Sequence, residues 1–206
     1  MLLSRKITYA VATVLFAGLA GCASSPDAKL YILSADATAQ LANWGENSPN
    51  VIIRPISIPA HIKRPEIVYR TESNRVQVNE YDRWAENIDK GMAAVLSENL
   101  MQLLGSGHIY TNDANFSTRP DMIVRVDVRQ FGLTASGQVS LDVSWEVEDN
   151  RSDTKELRTE SFRSTPSSEQ VADIVNAMSE TIGQFSNALS ENLIQLQSIH
   201  DAEGTS

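Results

Sequence analysis

The chain reads as a single α+β domain, an antiparallel-rich β-sheet packed with two principal α-helices, on an N-terminal lipid tether. Three observations lead there. Residues 122–163 hold three serial runs in which apolar and polar residues alternate, the period of half-buried strands. Two longer stretches, 85–104 and 167–199, space their apolar residues by three and four, as a helix with one buried stripe does. The single cysteine, Cys22, stands directly after a secretion signal.

The N-terminal segment comes first in the chain. Arg5 and Lys6 precede an apolar run of 13 residues from Ile7 to Leu19, and Leu19-Ala20-Gly21-Cys22 follows. The run is short of the roughly 20 residues a spanning helix needs. Polar sequence follows it, with no stop-transfer pattern. A cysteine after small residues is the pattern of a bacterial lipobox; the alternative is an ordinary signal with a chance cysteine. On the lipobox reading, residues 1–21 are removed, and the Cys22 thiol receives a diacylglyceryl group while its amine takes a further acyl chain. Each buried methylene contributes about 0.8 kcal/mol, and stable anchoring takes more than one chain. Residues 22–27 would be the tether. Ala23 and Ser24 follow the cysteine, with no aspartate to favour inner-membrane retention. The expected place is the outer membrane, lipid-anchored and facing the periplasm.

Removal of residues 1–21 leaves 185, one domain over 28–200 with a tail at 201–206 expected to be disordered. Apolar residues make up 42%, enough for a real core. The net charge of -9 becomes -11 without Arg5 and Lys6. Such a domain is a poor partner for nucleic acid, and an anionic lipid surface would repel it unless it were tethered. No cysteine remains for a disulfide, so packing must supply the stability.

Within the domain, Leu30-Tyr31-Ile32-Leu33 reads as a short strand. Residues 34–50 read as a long loop, a kind often functional or mobile. Val51 to Pro59 is strand-like but contains Pro55 and Pro59, which predicts an edge strand or a bend near Pro55. Ile67–Arg70 and Arg75–Asn79 predict a hairpin. Tyr81-Asp82-Arg83-Trp84 leads into a helix over 85–104, whose stripe includes Ile88, Met92, Leu96, Leu100 and Leu104, with Gly105 as its C-terminal cap. His108–Tyr110 is a further short strand. Strands then follow at Met122–Arg129, Val139–Val147 and Lys155–Arg163, an antiparallel meander with one wet face. Ser167 and Gln170 suggest a capping box for the last helix, to about Ile199. Gly183 within it marks a bend or a close backbone approach.

No constellation argues for catalysis. His61, His108 and His200 lie far apart and in no metal-binding spacing. There is no nucleophile elbow and no phosphate-binding glycine loop. Glu80, Asp82, Glu86 and Asp89 cluster near the first helix; a divalent cation is one reading, and carboxylates favoured by the helix dipole are the other. No cofactor or metal is expected.

Two segments carry a resemblance. One runs from Arg54 to Arg70 (RPISIPAHIKRPEIVYR), the other is Tyr81-Asp82-Arg83-Trp84-Ala85-Glu86 before the amphipathic helix. With the lipobox and Leu30–Leu33, they resemble the PqiC/YmbA family, auxiliary lipoproteins of ABC-type and MCE-type transport systems. The resemblance implies a non-catalytic subunit that docks a PqiB-like periplasmic MCE protein at the outer membrane and supports membrane integrity. A PqiA-like partner would sit in the inner membrane, and the lipoprotein could assemble as a homo-oligomeric ring. The alternative is a structural or assembly-factor lipoprotein unrelated to transport. On this reading Pro55, Pro59 and Pro65 either shape a contact loop or merely punctuate the chain. Arg64 either pairs with a carboxylate across an interface or is solvated. Tyr81 and Trp84 either meet a partner or pack under the first helix. Arg83 is expected to brace the fold through backbone carbonyls.

Overall fold

The computed structural model describes residues 27–204 except 38, 46, 47, 73 and 112–118. The signal, Cys22 and most of the tether lie outside the described residues. Among the described residues the elements run β1 (Lys29–Tyr31), β2 (Val51–Ile53), β3 (Glu66–Glu72), β4 (Arg75–Trp84), α1 (Ile88–Leu104), β5 (Ile109–Thr111), β6 (Met122–Leu133), β7 (Val139–Asp149), β8 (Thr154–Ser164) and α2 (Val171–Gly204). A large sheet has the order β5-β2-β6-β7-β8, and a small one β1-β4-β3. The fold is α+β.

The meander β6-β7-β8 is antiparallel throughout. Its register explains the alternation. Val124 faces Val147, and Val126 faces Trp145, on the side covered by the helices. On the other side Arg125 faces Glu146, which faces Leu157. A bulge between Val128 and Gln130 adds one residue to β6. The phase therefore changes there, and Phe131 continues the buried set that Val128 leaves.

β2 departs from expectation. It is interior, parallel to β5 on one side and to β6 on the other. The strand itself is only Val51–Ile53, both prolines come after it, and an isolated bridge pairs Ser57 with Asp127 of β6. The bend does fall at Pro55. Arg54 N–H donates to Val124 O (2.9 Å), Ser57 N–H donates to Val126 O (3.0 Å), and Val128 N–H donates to Ser57 O (2.8 Å). Three residues thus span two on β6, and Pro55, which has no N–H to donate, occupies the loop-out.

α1 and α2 pack together on the inner face of the large sheet. Met92, Leu96, Leu100 and Leu104 of α1 and Ile174, Ile182, Phe185, Leu189 and Leu193 of α2 belong to the core. Phe185 meets Trp145 at 5.3 Å between ring centroids and Phe162 at 6.0 Å. The Trp145 indole N–H donates to Asn192 Oδ1 (3.1 Å), so its one polar atom is satisfied inside the core. α1 begins at Ile88, because residues 82–84 continue β4 and pair with β1. It ends at Gly105 in the left-handed conformation (φ 59°, ψ 40°), whose N–H donates to Met101 O. The expected capping box is not the arrangement found: Ser168 Oγ accepts from Gln170 N–H (3.1 Å) in the turn that leads into the helix at Val171. α2 also runs to Gly204, so 201–204 are helical where a tail was expected.

The long loop is fastened. Leu41 and Ala42 N–H donate to Leu103 O, Trp44 N–H to Leu104 O, and Gly45 N–H to Gly105 O. The loop thereby satisfies the carbonyls that the end of α1 leaves open. Upstream, Ser34 N–H donates to Ser179 Oγ (3.2 Å) and Asp36 N–H to Asn99 Oδ1 (3.0 Å), pinning the loop to both helices. Gly183 lies against this segment, with the Asp36 carbonyl 3.5 Å from where its Cβ would be, an ordinary contact distance. Among the described residues no helix is long and apolar enough to cross a membrane.

Candidate functional site

The small sheet gathers most of the family-motif residues. Its three strands place Leu30, Arg83 and Glu66 in one row, Leu30 beside Arg83 and Arg83 beside Glu66. The row faces outward, because the next residues on β1 and β4, Tyr31 and Trp84, pair on the core side. Arg83 Nη2 donates to Glu66 Oε1 at 2.6 Å, and Arg64 Nε donates to Glu66 Oε2 at 2.8 Å. The Arg83 hydrogen bond first, and the Arg64 bond next, hold the Glu66 carboxyl down at about 2. Arg83 thus braces the fold through a carboxylate, not through backbone carbonyls, and Arg64 meets its carboxylate within the chain. The sequence reading quoted Glu66 inside the motif but missed its role. An acid between two arginines of the same strand pair was the available signal.

The other motif residues divide by parity. Trp84 is buried, and its N–H donates to Pro65 O (2.7 Å), which closes the small sheet. Tyr81 is 46% exposed. Asp82 turns inward and accepts from Tyr31 Oη (3.0 Å) and Asn79 Nδ2 (3.4 Å). Burial, then the bond to Asp82, pushes the Tyr31 phenol up, and burial pushes Tyr69 up as well. Pro59 starts a turn, its carbonyl accepting from Ile62 (3.0 Å) and Lys63 (3.1 Å). Lys63 then pairs with Asp89 in the first turn of α1 at 2.7 Å.

Pro55 belongs to a second surface. It borders a shallow groove on the outer face of the large sheet, with Arg54, Arg125, Glu146 and Leu157. Arg125 binds Glu146 and Glu148 at 2.7 Å each, so Arg125 and Glu146 within the groove form an ion pair. Leu157 is 72% exposed. It was missed in sequence because β8 reads as polar overall. Its parity with Lys155, Thr159 and Ser161 marks it as an apolar residue on the wet face.

The acidic cluster is dispersed. Asp82 is held by Tyr31 and Asn79, and Asp89 by Lys63. Among the described residues no three His, Cys, Asp or Glu side chains meet as metal ligands do. His108 Nδ1 lies 3.2 Å from Ser48 Oγ and 3.1 Å from Ser48 O, and Ser48 Oγ lies 2.5 Å from Ser106 Oγ. This cluster fastens the fixed loop to the chain after α1.

The family described as ABC-type transport auxiliary lipoprotein component matches residues 31–190, spanning every element from the end of β1 to the middle of α2. The chain belongs to that family. Two crystal structures share the auxiliary lipoprotein's fold. A Xanthomonas campestris protein of the DUF330 family is 18% identical, with a TM-score of 0.70 over 84% of this chain and 99% of its own. An uncharacterized protein is 14% identical, with a TM-score of 0.66 over 82% and 99%. No curated protein matches in sequence. Membership gives the auxiliary lipoprotein a transport-associated role and a membrane-associated place in the envelope.

Proposed function

We propose that this auxiliary lipoprotein is a non-catalytic subunit that docks the periplasmic MCE component of a lipid-transport system at the outer membrane, held there by lipid on Cys22. The observation that carries the reading is the family match across residues 31–190. The lipobox sequence supports the anchor, and the absence of aspartate after Cys22 supports the outer membrane. The structure supplies surfaces suited to contact. In the groove beside Pro55, Leu157 offers an apolar anchor beside the Arg125–Glu146 ion pair, an apolar centre with a polar rim as protein interfaces have. We assign this groove to the PqiB-like MCE protein, with a PqiA-like partner behind it in the inner membrane. A homo-oligomeric ring of the lipoprotein would suit a ring-shaped MCE tube.

The rival reading is an assembly or structural lipoprotein unrelated to transport. Affinity purification of the full-length lipoprotein from detergent-solubilised envelopes separates the two. Recovery of an MCE protein supports docking. Recovery of assembly factors or peptidoglycan without an MCE protein contradicts it.

A further inference from the structure

We propose that the outer face of the small sheet, centred on Leu30 and Ile32, rests on the lipid surface to which the chain is tethered. The inference rests on lipidation of Cys22 and adds a second, direct contact between the folded domain and the bilayer.

Leu30 and Ile32 are 65% and 62% exposed, while Tyr31 and Leu33 beside them turn into the core. Two large aliphatic side chains at alternate positions are therefore exposed together, Leu30 within β1, an edge strand of the small sheet, and Ile32 directly after its end. Tyr81, 46% exposed, lies two residues before Arg83 on β4. A phenol among aliphatics suits the water–lipid boundary. The row continues from Leu30 to Arg83 and Glu66, where two guanidiniums, those of Arg83 and Arg64, share one carboxylate. That leaves an excess positive charge beside the apolar pair in a chain of net charge -9. Positive charge next to exposed aliphatics favours a surface of lipid phosphates.

Chain length decides the occupant. Leu30 is eight residue steps from Cys22. Fully extended they reach at most about 29 Å, at roughly 3.6 Å per residue. The small sheet therefore cannot leave the membrane surface by more than about the thickness of one hydrocarbon core, ~30 Å. A second copy could also cover the face. Three side chains fall well short of the roughly 20–30 residues a side of a stable interface, whereas the bilayer is held within reach by the tether.

The test uses the full lipidated protein in vesicles of phosphatidylethanolamine and phosphatidylglycerol. Cys22 is the only cysteine and its thiol carries lipid, so Ile32→Cys introduces the one thiol free to take an environment-sensitive fluorophore. Leu157→Cys, on the outer face of the large sheet, is the comparison. Doxyl-labelled lipid is expected to quench the label at 32 severalfold more than the label at 157, and aqueous iodide to quench it less. Equal doxyl quenching at both positions overturns the proposal. So does a label at 32 that is shielded from iodide yet untouched by doxyl lipid, which would mean that protein covers the face. Failure of the Cys22 reading looks different: the protein does not float with the vesicles, and each variant takes up two labels per chain. That outcome overturns both.

Discussion

Glu66 takes a guanidinium on each carboxylate oxygen, and its carboxyl is held at about 2 against an ordinary 4.5. A carboxyl lowered on folding stabilises the fold fully above its unfolded value, and the contribution is lost as pH falls toward the folded one. Glu66→Gln should therefore be less stable than wild type at pH 7, and the gap should close between pH 4.5 and about 2. Urea unfolding midpoints of both proteins across that window check this; a gap that does not change with pH would contradict it. Asp149 presents the buried case. Its side chain is fully buried, and Arg151 holds it with Nη2 2.7 Å from Oδ2. Burial works against the charged carboxylate, but the bonds from the Arg151 side chain and N–H outweigh it and lower the pKa. Arg151 also reaches Gln197 of α2 at 2.7 Å. Arg151→Ala strands a buried charge and should cost about 3 kcal/mol. Adding Asp149→Asn should recover part of that loss in urea unfolding, because the stranded charge is removed.

At the scale of elements, the fastened loop separates two glycines that look alike in sequence. Gly105 has φ +59°, and a Cβ there would lie 2.3 Å from Gln40 Nε2 and 3.2 Å from Ala42 O. Gly105→Ala should be destabilising by about 2 kcal/mol, from left-handed strain and from displacement of the loop. Gly183 is helical, and its Cβ would make an ordinary 3.5 Å contact with Asp36 O. Gly183→Ala should be neutral or stabilising by up to about 1 kcal/mol. Thermal unfolding of the two variants should move in opposite directions, or at least differ in this order. The meander and both helices were legible because their apolar residues repeat over many turns of the pattern. The parallel pairing of β2 with β5 and β6 was not, since three paired residues carry no period. The fastening of the loop was not legible, because its ties to α1 are backbone N–H donors, which no side chain announces. In the candidate site, Arg64, Arg83 and Tyr81 were legible as a motif. The meeting of the two arginines on Glu66 was not, because it depends on the pairing of Glu66 with Arg83 beside an irregular register.

At the scale of the molecule, charge and apolar surface are segregated. α2 holds five acidic residues and no lysine or arginine. It lies on the inner face of the large sheet, away from the Pro55–Leu157 groove. The small sheet, which the tether reaches first, carries Leu30, Ile32 and the paired arginines. On the two proposals, the small sheet belongs to the membrane and the groove to the partner. The most direct test places a photo-crosslinking amino acid at position 157 of the full-length protein in living cells, with position 184, exposed on α2, as comparison. The account predicts that 157 crosslinks to a periplasmic MCE protein far more strongly than 184 does. Crosslinks from 157 to assembly factors alone, or equal yields from both positions, would contradict it.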